Sequence, residues 1–295
     1  MKSELGLDSI ARHISDSISL DLNRAGIMYR LFYRVKSSKS IEQKIIAKDY
    51  KKLGSKITDL IGIRITLYFQ DDVDVVYNYL KSKSNFDHHS TDNPSINLFQ
   101  PIRCNLTFNF LEADKHEVQT IIDDESDVID TTYEIQLRTV LSEGWHEVEH
   151  DLRYKCKEDW AGHEDLDRNL NGIYATLETS EFSMLQLFNN LSHRHYKKKN
   201  IEGLIKTQFR IRLAEGELSE NIETYINQSN EIIKKFHRIN RSNLIQIILN
   251  SKYTMPLTKD NFILICNHLY IKDDELSKLG DQFITDEIKL AFKNK

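Results

Sequence analysis

The run Thr131–Arg138 (TTYEIQLR) alternates polar and apolar residues with the period of a strand. Tyr133, Ile135 and Leu137 share one face and suit a core. Glu134, Gln136 and Arg138 share the other, which must look at solvent, at a covering layer or at a ligand. Two further spots carry charge where an apolar pattern would not place it. In TDLIGIRITLYF, Asp59 stands just before an apolar strand and Arg64 stands inside it. Such an arginine needs a carboxylate, a phosphate or an aromatic face. In YRVKSSKSIEQK, Arg34, Lys36, Lys39 and Lys44 surround the start of a helix that Ser38 or Ser40 would cap, a setting suited to phosphates. Each spot has a plainer reading: a solvated sheet face, an Arg64–Asp59 or Arg64–Glu134 ion pair, a basic surface. Taken together they form one site, in which two acids hold a magnesium ion and the cations hold a triphosphate.

The elements that would position these groups follow from hydrophobic period and from the scarcity of breakers, 10 Gly and 3 Pro in 295 residues. Residues 6–32 read as a helix, with Ile10, Ile14, Ile18 and Leu22 at helical spacing. Strands are expected over 63–69, in IRCNLTFNFLEA and over 131–138, and helices in VDVVYNYLKSK and from Leu141 to about Leu152. Residues 87–100 read as a polar loop, and residues 112–131 as a short strand or hairpin connection. Strands and helices interleave, which predicts an α/β (α+β) mixed sheet flanked by helices. Beyond Trp160 the apolar spacing is almost wholly helical. The expected division is 1–160 for the sheet domain, 161–255 for a helical extension and 256–295 for a small helical element.

The three spots together resemble the synthetase domain of the RelA/SpoT family of alarmone pyrophosphokinases. The matching pieces are RVKSSKSIEQK, TDLIGIRI and YEIQLRTVLSEGWHEVEHDLRYK, in order over roughly residues 25–155. The resemblance implies a nucleotidyltransferase-like fold and transfer of the β,γ-pyrophosphate of ATP to a ribose 3′-hydroxyl, usually of GDP or GTP. It implies Asp59 and Glu134 as metal and catalytic carboxylates for Mg²⁺, with Glu134 completing the metal site or acting as base. Arg34 and Arg64 would sandwich the adenine, with Lys36 and Lys44 on the phosphates and Ser40 nearby. Gln136 and Arg138 would support the site. Trp145, Glu149, His150, Tyr154 and Lys155 would form the helix and turn behind it. The family's acceptor loop reads close to N-G-Y-R-S-x-H. Here the corresponding run is QPIRCNL, which keeps Arg103 but has Ile102 for the tyrosine and Leu106 for the histidine. Tyr133, Phe99, His88 and His89 are the available replacement rings. The acceptor is therefore a guanine nucleotide held differently, or another acceptor, as in relatives that modify the tRNA 3′ end or adenine nucleotides. A silent nucleotide-binding module is the remaining alternative.

Other chemistries fit less well. HEVEH (146–150) lacks the order of a zinc protease, His163 has no second ligand at useful spacing, and Cys104 reads as a small core residue. No Walker loop, no dinucleotide fingerprint and none of the family's hydrolase motif occurs. A net charge of -5 gives no global pull on nucleic acid, although HRHYKKK (193–199), with Lys206, Arg210 and Arg212, is locally basic. Three scattered cysteines, no apolar leader and no long apolar span predict a cytoplasmic protein without a membrane partner. The C-terminal helices are expected to brace the sheet, to form a homo-oligomer interface, or to dock an antitoxin-like or regulatory protein.

Overall fold

The alternation over 131–138 becomes β5 (Thr132–Thr139), the central strand of a five-stranded mixed sheet. The computed structural model describes residues 2–37, 39–41, 46, 56–91, 104–121 and 128–293. Strand β5 runs parallel to β2 (Ile61–Leu67), which pairs antiparallel with β1 (Tyr29–Val35). On its other side β5 pairs antiparallel with β4 (Cys104–Asn109), and β4 with the edge strand β3 (Phe86–Thr91). One face is apolar: Ile61, Ile63, Ile65, Leu67, Leu106, Phe108, Ile135 and Leu137 are all buried. Helix α1 (Lys2–Arg24) is tied to β1 by the Tyr29 hydroxyl, which donates to the Ser19 carbonyl at 3.2 Å. Helix α2 (Gln70–Lys81) lies against β2 and β5 and buries Val75, Val76, Tyr79 and Leu80.

The opposite, polar face receives helix α4 (Val140–Glu149), which leaves β5 without a loop. Thr139 makes this junction. Its backbone is extended and its buried hydroxyl accepts from the Ser142 amide at 3.1 Å, capping the helix. Thr139→Ala is expected to cost about 1 kcal/mol and to lower Tm by a few degrees, as thermal unfolding followed by circular dichroism would show. The helix then widens into a π-helical turn, His150–Tyr154. Trp145 anchors it from behind: its Nε1 donates to the Leu170 carbonyl at 3.0 Å and its ring lies 4.9 Å from that of Tyr174.

Three sequence expectations change. The N-terminal helix stops at Arg24, because Gly26 at φ 70° turns the chain into β1. Residues 87–91 of the polar loop belong to a strand, Phe86–Thr91, and residues 92–100 lie outside the described set. Where a strand or hairpin was expected after 112, helix α3 (Glu112–Ile121) forms, with Val118 as its buried contact. The mixed sheet with flanking helices and a mostly helical C-terminal part stands as read.

The chain forms two compact units, Met1–Ser19 with Tyr29–Thr179, and Leu20–Met28 with Ser180–Lys295. The division falls inside the long helix α5 (Glu164–Lys197). The second unit contains α6 (Ile201–Phe209), α7 (Glu220–Gln228), α8 (Asn230–His237), α9 (Arg241–Leu249), α10 (Lys259–Cys266), α11 (Asp274–Leu279) and α12 (Gln282–Ala291). Segments on both sides of residue 256 share its core. The rings of Phe209 and Phe262 meet at 4.8 Å, and buried Arg241 donates to the Phe209 carbonyl at 2.5 Å. Among the described residues no helix is long and apolar enough to cross a membrane.

Candidate active site

The strand register lines up the polar residues in rows across the sheet. One row reads Arg34, Gly62, Glu134, Thr107, and the next reads Phe32, Arg64, Gln136, Asn105. Neighbouring strands lie about 4.8 Å apart, so each row spans roughly 14 Å, the length of an extended nucleotide. Gly62 leaves the floor open between Arg34 and Glu134. A Cβ there would lie 3.6 Å from the Arg34 Nε, since that side chain already crosses the glycine.

These rows floor a cavity of about 780 Å³. Arg34, Asp59, Arg64, Glu134, Gln136, Arg138 and His150 all line it, as do Glu149, Tyr154 and Lys155. Lys36 joins them through Asp59, with Nζ to Oδ2 at 2.5 Å. The structure thus brings together nearly every residue singled out by type and spacing. Ser40 sits apart on an exposed turn, with its amide held by Ser37, which takes the capping place expected of Ser38 or Ser40. Lys44, Ser38, Ile102 and Arg103 lie outside the described residues.

The arginine inside β2 pairs with neither Asp59 nor Glu134. Its Nη1 donates to Glu143 at 2.5 Å and to Glu147, and its Nε donates to the Gln136 amide oxygen at 3.3 Å. Burial pulls the Arg64 guanidinium down, but the two carboxylates outweigh it and leave the group above its usual value. Gln136 in turn donates to Glu134 Oε1 at 2.7 Å, and Arg138 lies 3.3 Å from Glu143 Oε2. A connected network therefore runs from helix α4 through Arg64 and Gln136 to Glu134, which fixes the carboxylate's direction. Glu143 and Glu147 did not stand out in the sequence. Their signal is a four-residue spacing, one helical turn, directly after the polar strand.

The acceptor side also differs from expectation. Leu106 is fully buried on the apolar face, so its side chain does not face the cavity, and Asn105 is the β4 residue that does. Tyr133 is not a replacement ring. It is buried, stacked on Phe108 at 5.4 Å and bonded to Asn85, and burial pushes its hydroxyl up to about 12. His88 and His89 lie on the edge strand and do not line the cavity, while Phe99 lies outside the described residues. Rings that line the cavity include Phe32, which is 62% exposed, Tyr33, and Tyr154, which stacks on His150 at 5.7 Å and 12°.

Cys104 sits at the start of β4, where burial, with a contribution from Asp74, pushes its thiol up to about 11. Cys266 is fully buried, and burial raises its thiol well above the usual value. Neither is poised as a nucleophile. At pH 8 iodoacetamide is expected to label Cys156 at least about tenfold faster than either, as mass spectrometry of tryptic peptides would read.

Among the described residues no three His, Cys, Asp or Glu side chains converge on a metal position. Asp59 and Glu134 both line this cavity, with cations beside them. That donor set fits Mg²⁺ carried on a nucleotide, which takes one or two protein carboxylates and completes its shell with phosphate oxygens and water.

Comparison with known proteins gives one family match: residues 33–159 correspond to the region found in RelA / SpoT proteins. No curated protein matches the chain. The crystal structure of small alarmone synthetase 2 from Bacillus subtilis is 22% identical, with 63% of this chain and 93% of that one covered and a TM-score of 0.45. Small alarmone synthetase 1 from Bacillus subtilis is 17% identical, covering 62% and 92%, with a TM-score of 0.43. A GTP pyrophosphokinase family protein from Streptococcus pneumoniae is 16% identical, covering 67% and 92%, with a TM-score of 0.45. Residues 33–159, which supply most of the polar sheet face and its cavity, match the model of the region found in RelA / SpoT proteins.

Proposed function

We propose that the first unit transfers the β,γ-pyrophosphate of ATP to a ribose 3′-hydroxyl, with GDP or GTP as acceptor. The observation that carries this reading is the single cavity shared by Asp59, Glu134, Arg34 and Arg64, with Lys36 ion-paired to Asp59. Arg34 and Arg64 bracket the adenine at the Phe32 end, where guanidinium planes and a ring suit a flat base. Lys36, released from Asp59 as phosphate arrives, lies on the polyphosphate, and the resemblance implies Lys44 beside it. Asp59 and Glu134 hold Mg²⁺, which when bound neutralises phosphate charge.

The acceptor enters from the His150–Tyr154 end, where Tyr154 offers its ring to the base and Asn105 an amide. The 3′-oxygen attacks the β-phosphorus, the bond from that phosphorus to the α–β bridging oxygen breaks, and AMP leaves with that oxygen. The hydroxyl proton passes to Glu134, which Gln136 holds in a fixed direction. Such transfer asks chiefly for alignment and charge neutralisation, which a rigid sheet floor supplies. The scattered cysteines suit a reducing, cytoplasmic setting for this chemistry.

The test is incubation of the purified chain with γ-labelled ATP, magnesium and, in turn, GDP, GTP, ATP and deacylated tRNA. Label on GDP or GTP, with AMP released in equal amount, is the expected result. Label on tRNA or ATP alone would replace the guanine acceptor while keeping the reaction. ATP binding with no labelled acceptor would leave a nucleotide-binding module.

A further inference from the structure

The second unit carries a feature that pyrophosphate transfer does not use. The basic run at the end of α5 meets the end of α8. The ring of Tyr196 stacks on that of His237 at 4.5 Å and 7°, and His193 lies 5.5 Å from His237. The same two helix ends carry Arg194 and Lys197 of α5 with Lys198 and Lys199 just after it, and Lys234 of α8 with Arg238 just after it, all exposed. Lys197 sits 5.7 Å from the Tyr196 ring centre. Two members expected from sequence drop out of this surface: Arg210 is buried, and Lys206 pairs with Glu202. The contribution of α8 appears only in the fold.

Cations near a helix C-terminus offset the macrodipole, and one or two on each helix need no other reason. Here six lie on or just past two helix ends that meet at one ring cluster, in a chain of net charge -5. Elsewhere in the same unit Lys206, Lys259, Lys278 and Lys289 each have a carboxylate partner. None of the six has one among the described residues. Burial, His193 and Lys197 hold His237 below the usual histidine range, in keeping with a concentrated positive field.

We propose that this surface, where α5 and α8 end, binds single-stranded nucleic acid. Cations spread over two helix ends match a chain of phosphates better than one compact anion, which would need donors converging in a pocket. The interleaved rings give unpaired bases a stacking face. A membrane surface would call for large apolar side chains among the cations, and His and Tyr stand there instead. The inference stands apart from the catalytic reading, since none of its residues lines the cavity of the first unit. Asp59→Asn is accordingly expected to leave nucleic-acid binding unchanged.

The test is fluorescence anisotropy of the full chain with labelled oligouridine across a salt series. Binding at low salt should weaken as salt rises, by about 0.7 in log–log slope for each cation engaged. Lys197→Glu with Arg238→Glu should weaken it at least about tenfold and reduce the slope by about 1.4. Tyr196→Leu should weaken it about tenfold with the slope unchanged. Circular dichroism checks that each variant is folded, and the exposed charge reversals decide the matter should the tyrosine variant unfold. No binding by the folded chain at low salt would overturn the proposal, as would binding that ignores the charge reversals. Equal affinity for a duplex would remove the single-strand reading, and capture by phosphatidylserine vesicles with none by oligouridine would make the surface a membrane contact.

Discussion

Replacing Glu134 by Gln is expected to slow pyrophosphate transfer about a thousandfold while ATP still binds. The substitution is nearly isosteric. A glutamine oxygen at 134 still accepts from Gln136, so the network through Arg64 to α4 is kept. What is lost is the charge that can take a proton from the acceptor hydroxyl and hold a divalent cation. Measured without magnesium, the triphosphate meets one negative charge fewer, so its affinity should stay level or rise. Single-turnover transfer from γ-labelled ATP, set beside equilibrium ATP binding, separates the two effects. Transfer within about tenfold of the unsubstituted chain would remove Glu134 as the proton acceptor. A parallel loss of ATP binding would make its role electrostatic support of the donor.

That prediction rests on a face legible from period alone. Glu134, Gln136 and Arg138 alternate with Tyr133, Ile135 and Leu137, and a strand has no other way to place them. The parallel pairing of β2 with β5, which brings Asp59 toward Glu134, was not legible from spacing. It joins segments 72 residues apart, as the register Gly62↔Glu134 shows, and only the resemblance of the ordered motifs pointed to it. The carboxylates on Arg64 were missed for a related reason. Glu143 and Glu147 lie 79 and 83 residues along the chain, and they meet it because α4 folds back over the strand it leaves. Residues 87–91 read as loop because an edge strand rich in Asp, His and Ser shows no apolar alternation. Helix α3 is not legible from period, because one buried valine gives none to count. Leu106 looked like a lesion in the acceptor loop, but strand parity turns it to the core and presents Asn105 in its place.

Arg64 offers the second large effect, and two substitutions there should part company. Arg64→Leu removes the hub on which Glu143, Glu147 and Gln136 converge. It leaves two carboxylates one helical turn apart over an apolar side chain, so both stability and ATP affinity should fall. Arg64→Lys keeps a cation within reach of Glu143 and Glu147, and most of the thermal stability should return. ATP affinity should not return. An ammonium has no plane to lay on adenine, and a stacked, partly desolvated guanidinium is worth about 2 kcal/mol, or roughly thirtyfold in Kd. Melting temperature and ATP Kd, measured on both variants, give the answer. If Arg64→Lys recovers ATP binding along with stability, then Arg64 serves as a counter-charge for α4, and the adenine must be held by Arg34 and Phe32.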